Sequence, residues 1–345
     1  MSTFLFALCV SFAVNFALII PFINLLYKLK LQRGKQHTKD AFNNNTPIFD
    51  SFHQKKVGTP VGGGLLLVLT TLTLFLVFSV IFIFLKIPIT SNFKPVSNEI
   101  KILLFTFVFF SFLGLYDDLS KILFLRKNSF FGLRLRHKLV FEIILAATVS
   151  YWMFAELKID FVHVPFFGVI HLGWVYILFA TFVIVAFANA VNITDGLDGL
   201  SGGVLLIALT TFCVIAGAIL DTPLLLFIVV WLGGLIAFLY FNVYPSRIFL
   251  GDTGSLSFGA TFAVIGLLSG RNFSLPIIGG IFVLEIVTSL IQLISKKFRK
   301  KKVFPVAPFH LWLQLRGWEE PKIVMRAWIV SVMLALFGLM VALMK

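Results

Sequence analysis

NAVNITDGLDGLSGG, residues 189–203, sets Asn189, Asn192, Asp195 and Asp198 three residues apart at the end of a long apolar run. That spacing places a polar stripe on one face of a helix, and Gly196 and Gly199 then break the helix and allow close backbone approach. An ionised side chain in a membrane span costs roughly 2.5–3.5 kcal/mol on insertion scales, so acids in such a segment are functional by default. A helix-packing role is the alternative for the asparagines.

The rest of the chain is of the same kind. Hydrophobic residues make up 59% of the 345 positions and charged residues 13%, with a mean hydropathy of +1.01. This excludes an ordinary soluble domain and predicts an all-α polytopic membrane protein forming a single integral domain over residues 1–345. Helical spans of about 20 residues are expected at about 4–26, 62–85, 101–116, 139–157, 173–191, 202–220, 223–241, 256–270, 276–294 and 323–344. Segment 158–172 alternates as a short external hairpin. Cys9 and Cys213 lie inside apolar runs, which argues against a disulfide framework or a cysteine metal site.

Charge fixes the sidedness. The segments 27–60, 117–138, 242–255 and 295–322 hold 22 of the 29 Lys and Arg residues. The positive-inside rule puts these loops in the cytoplasm and both termini outside. The first span has its cations after it, the reverse of a signal peptide, and is expected to be retained. The net charge of +14 follows from this topology and from attraction to anionic lipid headgroups. No basic soluble module is visible, so nucleic-acid binding is not expected.

On this reading two further acidic motifs share the cytoplasmic face with residues 189–203. In YDDLSK, a helical end brings Asp117, Asp118 and Lys121 near one face, where paired carboxylates beside an ammonium can bind Mg²⁺ and orient a phosphate. An interfacial cap is the plain alternative. In GDTGS, Asp252 stands between glycines and hydroxyls, offering a carboxylate for a cation and backbone N–H groups for phosphate oxygens. Asn242 and Phe249, just upstream, are an amide and a ring of the types that read and stack a nucleobase. In HQKKVGTPVGGG, Lys55 and Lys56 precede a glycine-rich helix start that lacks the GK[ST] of a P-loop. The loop holding His310, Trp312, Arg316 and Trp318 reads as an interfacial segment with snorkelling cations.

Together, in this order and topology, residues 53–335 resemble the polyprenyl-phosphate N-acetylhexosamine-1-phosphate transferases, and among them most closely those acting on UDP-N-acetylmuramoyl-pentapeptide. The resemblance rests on HQKKVGTPVGGG, DDLSK, NAVNITDGLDGL, GDTGSLSFG and APFH followed by LRGWEEPKIVMRAWIV. It implies a ten-span fold with a cytoplasmic cleft, a homodimer in a bacterial cytoplasmic membrane, and Mg²⁺-dependent transfer of a sugar 1-phosphate to undecaprenyl phosphate with release of UMP. Carried over, it makes Asp252 the Mg²⁺ ligand and Asp117 the base toward the lipid phosphate or, in a two-step scheme, the nucleophile. Asp118, Lys121 and Lys56 would hold phosphates. Asn192, Asp195 and Asp198 would line the nucleotide cleft, Asn242 and Phe249 would contact uracil, and His310 would help bind the nucleotide-sugar.

One departure concerns the donor. The family has three successive histidines where this chain reads His310, Leu311 and Trp312, and a Glu where it has Gln314. GTPVGGG in place of GTPTMGG is a milder change. The same chemistry on UDP-N-acetylglucosamine is therefore the nearest rival. A cation-coupled transporter is a distant one, because transporter acids usually lie near mid-membrane between repeats and these lie at span ends.

Overall fold

The computed structural model describes residues 2–34, 52, 56–125 and 135–344. Its order is α1 (Ser2–Lys28), α2 (Gly63–Phe84), α3 (Val96–Leu125), α4 (Leu135–Ala155), β1 (Phe161–Val164), β2 (Gly168–His171), α5 (Val175–Thr194), α6 (Leu200–Ala218), α7 (Thr222–Asn242), α8 (Gly251–Leu268), α9 (Ser274–Ile278), α10 (Gly280–Phe298), α11 (Phe309–Leu315) and α12 (Glu320–Leu343). Each of the ten expected spans falls on one of these helices, the ninth on α9 and α10 together. Eight of the described helices are long and apolar enough to cross a membrane: α1 to α7 and α12. The expected hairpin is present, with Phe161 paired to His171 and Val164 to Gly168 in antiparallel register.

The expected eighth and ninth spans form helices without reaching that apolar length, and the reason differs between them. Every residue of α8 from Thr253 to Leu268 is buried. It packs most extensively against α3 and α5, with α2 also against it. A helix sheathed by protein instead of lipid can carry Asp252, Thr253, Ser255, Ser257 and Thr261. α10 buries Glu285, Gln292 and Ser295 while exposing Leu284, Val287, Leu290, Ile291 and Ile294, so its polar face turns inward.

The crossing of α3 and α8 sets the functional end of the bundle. A Cβ on Gly114 of α3 would lie 2.1 Å from the Asp252 carbonyl oxygen, so only glycine lets the helices approach there. α3 continues past the expected span end at residue 116, which carries Asp117, Asp118 and Lys121 within the helix.

Candidate active site

Asp117 and Asp118 are neighbours on one helix and therefore point in different directions. Asp118, 8% exposed, faces the first turn of α8. Its Oδ1 accepts from the Asp252 N–H at 3.0 Å, and its Oδ2 accepts from the Thr253 N–H at 2.9 Å and the Thr253 hydroxyl at 2.7 Å. Free N–H groups at a helix start favour an anion, and a carboxylate borrowed from another helix supplies it. Gly251 has φ +78°, and a Cβ there would come 2.7 Å from Asp118 Oδ2. The GDT motif thus needs its first glycine to bring the α8 start onto α3.

Asp117 turns toward the cleft. Its Oδ2 lies 3.0 Å from Lys121 Nζ and 3.1 Å from Lys138 Nζ. Asp252 Oδ2 lies 3.0 Å and 2.5 Å from the same two ammoniums. Two carboxylates from opposed helices therefore share two lysines. The expected Asp117–Lys121 pairing is present, while Asp118 spends its oxygens on α8.

The stripe from residue 189 leads into this cluster. Asn189 hydrogen-bonds the buried Glu142, and Asn192 Nδ2 donates to Ser255 Oγ at 2.7 Å. Asp195 follows the last turn of α5. Burial pushes its carboxyl well above the usual carboxylate range, the Asp252 charge adds to this, and Lys56 and Arg33 oppose it. Asp198 lies past the helix, 2.8 Å from Lys56 Nζ, and its Oδ2 accepts from the Ser246 N–H at 3.0 Å. Lys56 also reaches Glu320 Oε1 at 2.6 Å and the Gly196 carbonyl at 3.1 Å. Lys55 lies outside the described residues.

Asn242 and Phe249 occupy a second layer. Asn242 is buried; its Oδ1 accepts from the Gly199 N–H at 3.1 Å and its Nδ2 donates to the Ile248 carbonyl at 2.9 Å. It latches the turn after α7 to the turn before α6. Phe249, half-buried, has the Arg33 guanidinium 5.6 Å and Lys56 Nζ 6.0 Å from its ring centroid.

His310 is 2% exposed. Its backbone N–H and Nδ1 meet Glu285 at 3.2 Å and 3.1 Å, which orients the ring. A Cβ on Gly196 would fall 2.7 Å from His310 Nε2, so this glycine makes room for the imidazole beside the Asp195 turn. Leu311 is buried, and Arg316 stacks 4.7 Å over Trp312. The Lys322 ammonium and the Arg326 guanidinium lie 5.1 Å and 4.5 Å from the Trp318 ring centroid.

Four participants were not singled out in the sequence: Lys138, Glu142, Glu285 and Glu320. For Glu142 and Glu285 a signal existed, since an acid within an apolar helix is costly wherever it occurs. Lys138 and Glu320 stand at loop–helix junctions and look like ordinary topology charges.

Five helices, α3, α4, α8, α10 and α12, thus carry charged side chains to one end of an apolar bundle, and comparison with known proteins gives the class. Residues 100–270 match the model of glycosyl transferase family 4; the chain is a phosphosugar transferase of the membrane. It is 35% identical to the phospho-N-acetylmuramoyl-pentapeptide-transferase of Bacillus subtilis (strain 168) over 292 residues, covering 83% of this chain and 85% of that one. It is also 35% identical to the enzyme of that name from Caldanaerobacter subterraneus subsp. tengcongensis over 334 residues, 96% of each chain. A third, from Bacillus pumilus, is 33% identical over 341 residues, 97% of this chain and 96% of that one. The chain belongs to the phospho-N-acetylmuramoyl-pentapeptide-transferase family.

Proposed function

We propose that the protein transfers phospho-N-acetylmuramoyl-pentapeptide from its UDP derivative to undecaprenyl phosphate at the cytoplasmic face of a bacterial cytoplasmic membrane, releasing UMP. The observation that carries this reading is the pair of carboxylates, Asp117 and Asp252, sharing Lys121 and Lys138 where α3 crosses α8. An oxygen of the lipid phosphate attacks the phosphorus bonded to the sugar. The bond from that phosphorus to the bridging oxygen breaks, and UMP leaves with the electron pair. Such a displacement needs positioning and charge neutralisation more than covalent help.

In this scheme Asp117 takes the proton from the acceptor phosphate, and Lys121 and Lys138 offset the charge gathered there. Asp118 acts through α8: it holds the helix start that aims Asp252. Lys56 braces the Asp195–Gly199 turn against α12 through Asp198 and Glu320. Asn242 fixes the turn leading to Phe249, which is the surface for the base. Asn192, Asp195 and His310 line the nucleotide side.

The donor chemistry supports Mg²⁺. Among the described residues no group of three or more His, Cys, Asp or Glu is arranged to hold a metal. Mg²⁺ commonly binds through one or two carboxylates together with substrate phosphates and water, and Asp252, with Asp117 opposite, fits that need. When bound, the ion would neutralise diphosphate oxygens.

The test is UMP release by purified protein with undecaprenyl phosphate and Mg²⁺, comparing UDP-N-acetylmuramoyl-pentapeptide with UDP-N-acetylglucosamine at equal concentration. The muramoyl donor is expected to be preferred. Leu311 and Trp312 replace two hydrogen-bonding imidazoles, each contributing about 0.5–1.5 kcal/mol, so donor KM should be higher by roughly one to two decades than in relatives carrying all three histidines. Preference for UDP-N-acetylglucosamine would reject the donor and keep the reaction; no UMP from either would reject both.

A further inference from the structure

We propose that residues 297–302, together with the exposed face of α10 that leads into them, form a binding surface for the headgroups of anionic phospholipids. Six of the seven residues from 296 to 302 are Lys or Arg, and no Asp or Glu occurs between Glu285 and Glu319. Lys297, Arg299, Lys300, Lys301 and Lys302 are all exposed. The surface therefore carries one sign of charge, and its complement is an array of anions. α10 says where those anions lie. Leu284, Val287, Ile291, Ile294 and Phe298 are exposed and recur every three or four residues, so they make one stripe along the helix. At 1.5 Å per residue the stripe is about 21 Å long. A continuous apolar face of that length is stable against acyl chains and costly against water. The bilayer boundary thus follows α10 to Phe298, and the cations beyond it stand at the level of the headgroups.

The array is built into the fold. The Arg299 N–H donates to the Ser295 carbonyl at 2.8 Å, and the Ser295 hydroxyl donates to the Lys301 carbonyl at 2.9 Å. Gln292 Oε1 accepts from the Val303 and Phe304 N–H groups, each at 3.0 Å, and its Nε2 donates to the Phe304 carbonyl at 2.9 Å. Two buried polar side chains of α10 therefore fold the basic run back onto the helix. A topology signal acts through charge alone and asks for no such latch. Here the cations are presented at one place, so binding does not first have to order the segment. Phe298 is 74% exposed, with the Lys297 ammonium 5.4 Å from its ring centroid. A soluble polyanion would use only the charges. A ring and an apolar stripe continuous with them serve a lipid surface, which offers chains and anionic headgroups side by side.

The test titrates purified full-length protein in neutral detergent micelles with dioleoyl-phosphatidylglycerol or dioleoyl-phosphatidylcholine and measures bound lipid by native mass spectrometry. Phosphatidylglycerol should bind at least about tenfold more tightly, and less tightly as salt rises; equal binding of the two lipids would overturn the proposal. A cation near an anionic surface contributes roughly fivefold in affinity. The variant Lys297→Gln/Arg299→Gln/Lys300→Gln/Lys301→Gln/Lys302→Gln should therefore lose at least about tenfold for phosphatidylglycerol and stay within about twofold for phosphatidylcholine. Unchanged phosphatidylglycerol affinity, or equal losses for both lipids, would contradict the assignment. If that variant does not fold, Lys300→Gln/Lys301→Gln/Lys302→Gln carries the comparison, with a smaller phosphatidylglycerol-selective loss expected and no loss contradicting it. Glycerol 3-phosphate and polyglutamate identify the other anion sources. Displacement of bound phosphatidylglycerol by either at equal concentration would give the surface to a soluble phosphate or an acidic protein and reject the lipid.

Discussion

Helix α3 ends in a buried acidic pair at both of its termini, and the two pairs are answered differently. At the C-terminal end Asp117 faces Asp252 across two ammoniums. At the N-terminal end Glu99, fully buried, accepts from the Ser91 hydroxyl at 2.6 Å and lies near Asp221. Asp221 in turn caps α7 by accepting from the Leu224 N–H at 3.1 Å. The far pair has a serine hydroxyl and a helix cap as its partners in place of cations. The near pair holds its charges with two ammoniums, so a phosphate can compete for the lysines and a metal ion for the carboxylates. Burial of acids alone does not make a site; the kind of partner does.

Neutralising Asp118 should break the near end most severely as structure. Asp118→Asn leaves an amide facing the N–H groups of Asp252 and Thr253, and a buried unsatisfied donor costs about 1–3 kcal/mol. Losing the negative charge at the α8 start adds to this. We expect a stability loss of about 2–3 kcal/mol, a lower apparent Tm, and reduced UMP release because Asp252 is no longer aimed. Wild-type stability for this variant would mean that Asp118 does not hold the helix start.

The far end should give the smallest effect, and a pH signature instead of a catalytic one. Burial raises the Asp221 carboxyl above its ordinary range, so the folded state binds the proton more tightly than the unfolded state. Its stabilising share is complete below the ordinary carboxylate value and is lost as pH rises through the raised one. Asp221→Asn keeps a good helix cap and removes that titration. Apparent Tm should then fall less steeply with rising pH and differ by no more than about 3 °C below the window, with UMP release within about twofold of wild type. A large loss of turnover would erase the contrast between the ends.

The same contrast explains what could be read from sequence. Apolar length, the polar stripe and the loop charges placed the helices, the hairpin and the convergence of Asp117, Asp195 and Asp252, because those signals are written locally. Pairing is not local. Whether Lys138 or Arg136 reaches Asp117, and whether Asp118 meets a lysine or the start of α8, depends on how closely Gly114 lets α3 approach α8. Asn242 has the chemistry to read a base, yet the fold uses both ends of its amide to join two turns. Motif chemistry named residues that the fold brings to one end of the bundle, and only tertiary packing shows which of them hydrogen-bond one another.

The central claim is that Asp252 serves the chemistry and not the fold. UMP release by Asp252→Asn, measured per folded protein with Mg²⁺ and both substrates saturating, tests it most directly. The change removes a hard anionic ligand at constant size, so turnover should fall at least about a hundredfold, or ~2.7 kcal/mol, with an apparent Tm no lower than that of Asp118→Asn. Near-normal turnover of a well-folded Asp252→Asn protein would contradict the account.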